Sequence, residues 1–456
     1  MLRFIVLALV ALAGLVTASS ATAAPAPAPP NTVVRTDVIT DVHPFGWKVA
    51  AVAIEYRSVI NLGTAAVPNT AFTVNATANG VTAPRTVVAV YTNNVAEIDT
   101  RGPKGTPGKF LIIELSPDDR NSGALVYSGG RNEPIPLTGA YSVRQTQDIT
   151  DSNGKVRLKA APYALTSQGQ INPIVDDFIS GTYTDSTGYA INFRLYTPQA
   201  RPEYRKDGFP LVLFLHGGGE RGANNITQIT ANEGAAAFAA PDRQASDPSY
   251  ILAAQVPVGS NWTTPAQQAA LIELLDTIVA GNPIDKDRLY VTGMSMGGIG
   301  TFDLLPKYPT KFAGALPIAA AGDVTKMPLI KDVPIWATHS IDDPTVNYTT
   351  GTLALMNALD AAGALVTRGQ WAGNLPELQA EAEALRQYAQ AEASNSHTLL
   401  TAYTPGTTPV SAHWSWVPTY LNDVMLDWLF DQDLQDRPAP TTTSVTATTQ
   451  VVGIAD

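Results

Sequence analysis

The stretch R-L-Y-V-T-G-M-S-M-G-G-I-G-T-F-D, residues 288–303, decides the fold. Residues 288–291 read as a strand and 296–308 as a helix. Between them Gly293-Met294-Ser295-Met296-Gly297 spells G-x-S-x-G. So tight a strand-to-helix turn needs small residues around the serine, and its strain lifts the hydroxyl above the sheet edge. Ser295 is therefore the candidate nucleophile; an idle serine in a Gly-rich turn is the plainer alternative. Working outward, residues 211–215 (L-V-L-F-L) form a fully apolar run of the kind a buried parallel strand requires. Residues 251–256, 312–318 and 334–338 are further candidate strands. Helical stretches at 264–280, 350–362, 376–394 and 417–430 accompany them. This alternation predicts a mostly parallel, doubly wound sheet over residues 181–436.

Before residue 181 the texture is different. Residues 47–56 (W-K-V-A-A-V-A-I-E-Y), 71–77, 86–91 and 110–115 are strand-like, and Gly, Pro and Asn clusters separate them. No helical period is sustained there, so an all-β, Ig-like sandwich is expected over 32–180, either independent or as part of a larger unit. Residues 24–31 form a Pro-rich leader, and the Thr-rich tail 437–456 carries no pattern and is expected to be disordered. Met1-Leu2-Arg3, the apolar stretch 4–16 and Ala21-Thr22-Ala23 together read as a signal peptide over 1–23. The mature protein is thus expected outside the cell or in a periplasm.

Composition narrows the function classes. Among 456 residues there is no cysteine, which removes disulfides, thiolate nucleophiles, cysteine-ligated metals and lipoprotein anchoring. Lys and Arg number 29 against 40 Asp and Glu, a net charge of −11 without any basic run, so no nucleic-acid partner is expected. No segment beyond the N-terminus approaches the roughly 20 apolar residues of a membrane span, so no membrane association is expected once the signal is removed.

An exposed serine needs a base, an acid and an oxyanion site. His216-Gly217-Gly218-Gly219 follows the 211–215 strand, and its glycines let backbone N–H groups approach a developing oxyanion. Gly218 is one candidate donor, and Met296, directly after the nucleophile, is the other. The rival, a phosphate cradle, lacks its G-x-x-x-x-G-K-[ST] pattern. The chain has five histidines, and in the α/β-hydrolase order Ser–acid–His only those after the acid qualify. His43 and His216 precede Ser295, and His339 stands directly before the acid candidates. His397 borders a charged helix and reads as a surface residue. His413, in a loop before the last helix, remains as the base. Asp342 and Asp343 both follow the 334–338 strand, at the sheet edge where such sites form, and spacing alone does not choose between them. Asp323 is an outside candidate.

The segments H-G-G-G-E-R-G (216–222), G-M-S-M-G-G-I-G-T-F-D (293–303), F-A-G-A-L-P-I (312–318) and H-W-S-W (413–416) together resemble a family of secreted α/β-hydrolase esterases. These carry an Ig-like N-terminal domain and are related to polyhydroxybutyrate depolymerases and to proteins labelled predicted peptidases. The resemblance covers most of the chain. It implies Asp343 as the acid, four residues after the histidine of an H-G-x-x-D-x-x-V motif, which maps to His339 and Val346. Ser340 stands where that motif has glycine. It further implies a buried Glu220–Arg221 ion pair shaping the oxyanion loop. Trp262 lies either near the active-site mouth or in the core, and Trp414 is a second candidate for substrate contact. The helix 376–394 looks like an insertion that either caps the site or decorates the surface.

The expected activity is that of a serine carboxylic-ester hydrolase using Ser295, His413 and Asp343, with no metal or cofactor, on a small-molecule or polymeric ester. A polyester depolymerase and a serine peptidase would use the same chemistry. A non-catalytic binding protein would have no use for the full constellation. Oligomeric state is not legible in the sequence.

Overall fold

The structure, a computed structural model, describes residues 32–78, 80–99, 104–202 and 207–437. The expected signal peptide, the expected Pro-rich leader and the tail after Arg437 lie outside the described residues.

The N-terminal unit is a sandwich of two sheets. One has the order Gly169–Ile171, Val33–His43, Gly46–Ile60, Gly108–Leu115, Val87–Asn93; the other runs Leu165–Thr166, Tyr141–Gln145, Phe72–Ala78, Val81–Arg85. Pairing is antiparallel except where Gly169–Ile171 runs parallel to Val33–His43. Alternate residues of Phe72–Ala78 point inward, the period expected of a strand with one face on the core. Trp47, Val52, Ile54, Phe72, Val74, Leu111, Ile113 and Val143 fill the space between the sheets. A separate hairpin, Leu125–Ser128 with Arg131–Pro134, projects from this unit.

Numbering only the second unit, nine strands form one sheet: β1 (Ile179–Thr184), β2 (Ala190–Tyr196), β3 (Phe209–Leu215), β4 (Tyr250–Gln255), β5 (Ile284–Met294), β6 (Gly314–Ile318), β7 (Ile335–Ser340), β8 (Val366–Trp371) and β9 (Thr398–Tyr403). Their order is β1-β2-β4-β3-β5-β6-β7-β9-β8. β2 is antiparallel to both neighbours and every later pairing is parallel. The helices are α1 (Thr227–Thr230), α2 (Gly234–Ala239), α3 (Pro241–Ser246), α4 (Pro265–Gly281), α5 (Met296–Leu304), α6 (Thr352–Ala361), α7 (Glu377–Ser394), α8 (Trp416–Tyr420) and α9 (Asp423–Phe430). All seven residues of β3 are buried, as its apolar run predicted, because helices cover both faces. The expected fold, an α/β hydrolase behind an Ig-like sandwich, is the fold observed. Among the described residues no helix is long and apolar enough to cross a membrane.

Two expectations need correction. The stretch 417–430 is not one helix: the chain breaks at Leu421-Asn422, and the Asn422 side chain accepts the Met425 N–H to start α9 afresh. The helix at 376–394 neither caps the cleft nor stands apart as decoration. It is the crossover between the adjacent parallel strands β8 and β9, which such a pair requires. Its Gln387 is buried, and the side-chain amide donates hydrogen bonds to the Thr367 and Leu400 carbonyls of those two strands, at 3.0 and 2.9 Å.

Candidate active site

The turn after β5 is built by close backbone approach. The register pairs Leu215 with Gly293 on one side of β5 and Gly293 with Pro317 on the other, so Ser295 rises at the carboxyl edge of the central strands. Ser295 has φ +53° and ψ −117°, a conformation an L residue holds at a cost of about 1–3 kcal/mol. Its N–H is tied to the Ile318 carbonyl at 2.9 Å, and its own carbonyl accepts from Ile299 at 2.9 Å. A Cβ on Gly297 would lie 1.8 Å from the Leu215 carbonyl oxygen, so only glycine fits there.

Loops from three parts of the sheet edge bring the predicted side chains together. Ser295 Oγ lies 2.9 Å from His413 Nε2, and His413 Nδ1 lies 2.7 Å from Asp343 Oδ2. A carboxylate oxygen can only accept, so Nδ1 carries the imidazole proton and Nε2 is left to accept from the serine hydroxyl. The Asp343 side chain is wholly buried, whereas that of His413 is 12% exposed. Burial alone would push the Asp343 carboxyl up. Hydrogen bonds from His339, His413 and the N–H groups of Thr345 and Val346 outweigh it and hold the carboxyl well below the usual carboxylate range. Asp342 instead accepts the Gly406 N–H, and Asp323 accepts the Thr325 N–H to start a short helix.

His339, excluded as a base by chain order, touches the same carboxylate. Its Nε2 is 3.0 Å from both Asp343 Oδ2 and the Val346 carbonyl, so it must carry the proton, and its Nδ1 is 2.8 Å from Thr352 Oγ1. Ser340, in place of the motif's glycine, is also accounted for. Its N–H donates to Ser415 Oγ at 3.0 Å, and its hydroxyl meets both Ser415 and Thr408, tying the acid's strand to the loop that carries His413. The four-residue spacing to Asp343 was the signal that could have singled out His339.

Gly218 and Met296 each occupy the first residue of a helix, Gly218–Glu220 and α5, where an N–H has no intrahelical acceptor. His216 holds this loop from below. Burial pushes its imidazole down to about 4, against an opposing hydrogen bond to the Gly217 carbonyl, and the neutral ring's Nε2 accepts the Val256 N–H at 2.9 Å. The expected Glu220–Arg221 ion pair is absent among the described residues. Successive side chains on this loop diverge: Arg221 donates to the Gly218 carbonyl at 2.9 Å, while Glu220 accepts from Asn132 of the sandwich hairpin at 3.2 Å. With its other oxygen unpartnered, Glu220 is pushed up to about 7, chiefly by burial. Trp262 does not reach the cleft. It is 0% exposed, and its indole donates to the His216 carbonyl at 2.8 Å, so the core reading describes it. Trp414 does line the cleft.

That cleft, about 660 Å³, is shared between the two units. Phe45, Trp47, Tyr127 and Asn132 of the sandwich face Ser295, His413 and the Gly217–Glu220 loop across it. No sequence signal marked these residues, because the contact joins segments more than eighty positions apart.

The family described as Esterase Ig-like N-terminal domain matches residues 35–157. A solved structure, a thermostable esterase, is 31% identical and superposes with a TM-score of 0.74, covering 88% of this chain and 99% of that one. Poly(3-hydroxyalkanoate) depolymerase C of Paucimonas lemoignei is 31% identical over 123 residues, 24% of this chain; the match spans only 27% of that enzyme's length. Sandwich, sheet order and near-full-length likeness agree: the chain belongs to the α/β-hydrolase esterases that carry an Ig-like N-terminal domain.

Proposed function

We propose that the chain hydrolyses carboxylic esters with Ser295 as nucleophile, His413 as general base and acid, and Asp343 as the carboxylate that orients the imidazole. One observation carries this reading: the continuous relay of 2.9 and 2.7 Å from a hydroxyl on a strained turn through an imidazole to a buried carboxylate. Ser295 Oγ attacks the ester carbonyl as His413 Nε2 takes its proton. The oxyanion then accepts from the N–H groups of Gly218 and Met296. The C–O bond to the alcohol breaks as Nε2 returns the proton to the leaving oxygen. Water, deprotonated by the same nitrogen, attacks the acyl-serine; the acyl C–Oγ bond breaks as Nε2 returns that proton to Ser295 Oγ, and the acid leaves.

Replacing Ser295 by alanine is expected to lower turnover of a p-nitrophenyl ester by about 10⁴-fold or more and to abolish fluorophosphonate labelling, with the fold intact. Retention of the parent rate would end the assignment. A polymeric ester is a second reading, favoured by the partial likeness to the depolymerase; clearing of polyester films against turnover of soluble esters separates the two. The charge of −11 supports a substrate other than nucleic acid. We further infer export, on the basic start, apolar stretch and A-T-A site of residues 1–23, with no membrane association once this segment is cleaved. Exported protein beginning at Ala24 is the expected finding, and an uncleaved cytosolic product would contradict it.

A further inference from the structure

The cleft contains a row of aromatic rings that the proposed chemistry does not itself need. It begins at the imidazole. The Trp416 ring centroid is 5.2 Å from that of His413; Trp414 follows at 5.6 Å with its plane 28° from that of Trp416; and Phe45 follows at 6.4 Å, 27° from Trp414. Trp414 and Trp416 come from the loop and helix beyond β9. Phe45 sits at the turn between the first two sandwich strands and is 44% exposed. All three line the cleft with Ser295 and His413. A large ring kept this exposed at a turn contributes little to its own unit's core, and its near-parallel neighbour belongs to the other unit.

We propose that this row binds the alcohol half of the ester, and that the preferred alcohol is flat and apolar, of the arylmethyl type. The inference rests on the reading of His413 as the acid that protonates the leaving group. That step requires the alcohol oxygen within about 2.6–3.2 Å of Nε2, so the body of the alcohol lies beside the imidazole, where the ring row starts. An aryl group there stacks on Trp414 and Phe45 with offset, near-parallel geometry. The acyl half then faces the Gly217–Glu220 loop.

Three esters test this in the full-length protein: ethyl acetate, 2-naphthylmethyl acetate and ethyl 2-naphthylacetate. Taking ratios between variant and parent cancels differences in intrinsic reactivity. Phe45→Ala and Trp414→Ala should each lower the preference for 2-naphthylmethyl acetate over ethyl acetate by roughly 10-fold in kcat/KM. Phe45→Tyr, which keeps the ring, should preserve it. The preference for ethyl 2-naphthylacetate over ethyl acetate should not change. Equal losses on all three esters, or a loss confined to the naphthylacetate, would overturn the proposal. A parent protein inactive on every ester would overturn the hydrolase reading beneath it, a distinct and recognisable failure.

Discussion

Glu220 gives the sharpest test of the electrostatics under the oxyanion loop. It is 6% exposed, accepts one hydrogen bond from Asn132 across the unit boundary, and has its second oxygen buried without a partner. His216 lies 4.0 Å from it and is neutral, and Arg221 turns away to the Gly218 carbonyl. With burial as the main cause, the carboxyl moves from its ordinary 4.5 to about 7. A carboxyl with a raised native pKa binds its proton more tightly folded than unfolded. Its contribution to stability is therefore full below about 4.5, declines as pH rises, and is gone once pH passes about 7. At about 1.4 kcal/mol per tenfold change in acidity constant, the loss is roughly 3 kcal/mol. Glu220→Gln keeps the acceptor for Asn132 but cannot ionise. Urea unfolding of the parent and variant from pH 5 to 8.5 should therefore show stabilities that diverge by roughly 3 kcal/mol in the variant's favour as pH rises. His216, whose depressed pKa costs stability at acid pH, is present in both proteins and largely cancels in the difference. Parallel curves across the range would refute a buried, proton-binding Glu220.

Other perturbations follow from single contacts. His339→Leu removes one of the two imidazole donors on Asp343 Oδ2; at 1.5–3 kcal/mol for a hydrogen bond to a charged group, kcat should fall by roughly 10–100-fold with KM little changed in steady-state ester kinetics. Gly297→Ala drives a methyl into the Leu215 carbonyl, backbone against backbone, and is expected to cost about 3 kcal/mol or more in thermal unfolding. Gly281→Ala, with nothing within 4 Å, should stay within about 0.5 kcal/mol of the parent by the same measurement.

What could be read from the sequence, and what could not, divides on physical lines. The central strands β3, β4, β5, β6 and β7 were legible because burial on both faces demands apolar runs. β1 and β8 escaped: both are edge strands with much of their surface in water, and the sequences I-S-G-T-Y-T and V-T-R-G-Q-W show it. β9 escaped for another reason. It is fully buried yet contains threonine, tolerable because Thr401 Oγ1 donates to Gln387 and accepts from the Trp336 indole, partners that only tertiary structure reveals. Ser295 and His413 could be picked out by motif and chain order, whereas Asp343 could not be told from Asp342 without a family pattern. The support given by Ser340 and Ser415 is a matter of hydrogen-bond direction, which spacing does not encode.

The turn that carries Phe45 lies some 250 residues away in the chain from Ser295, in a unit with its own core. Substitutions in that turn can alter which alcohols are accepted without disturbing the packing that holds the elbow in its strained shape. The sandwich thus works as an interchangeable jaw: diversity can accumulate on one side of the bite while the side that performs bond cleavage stays rigid.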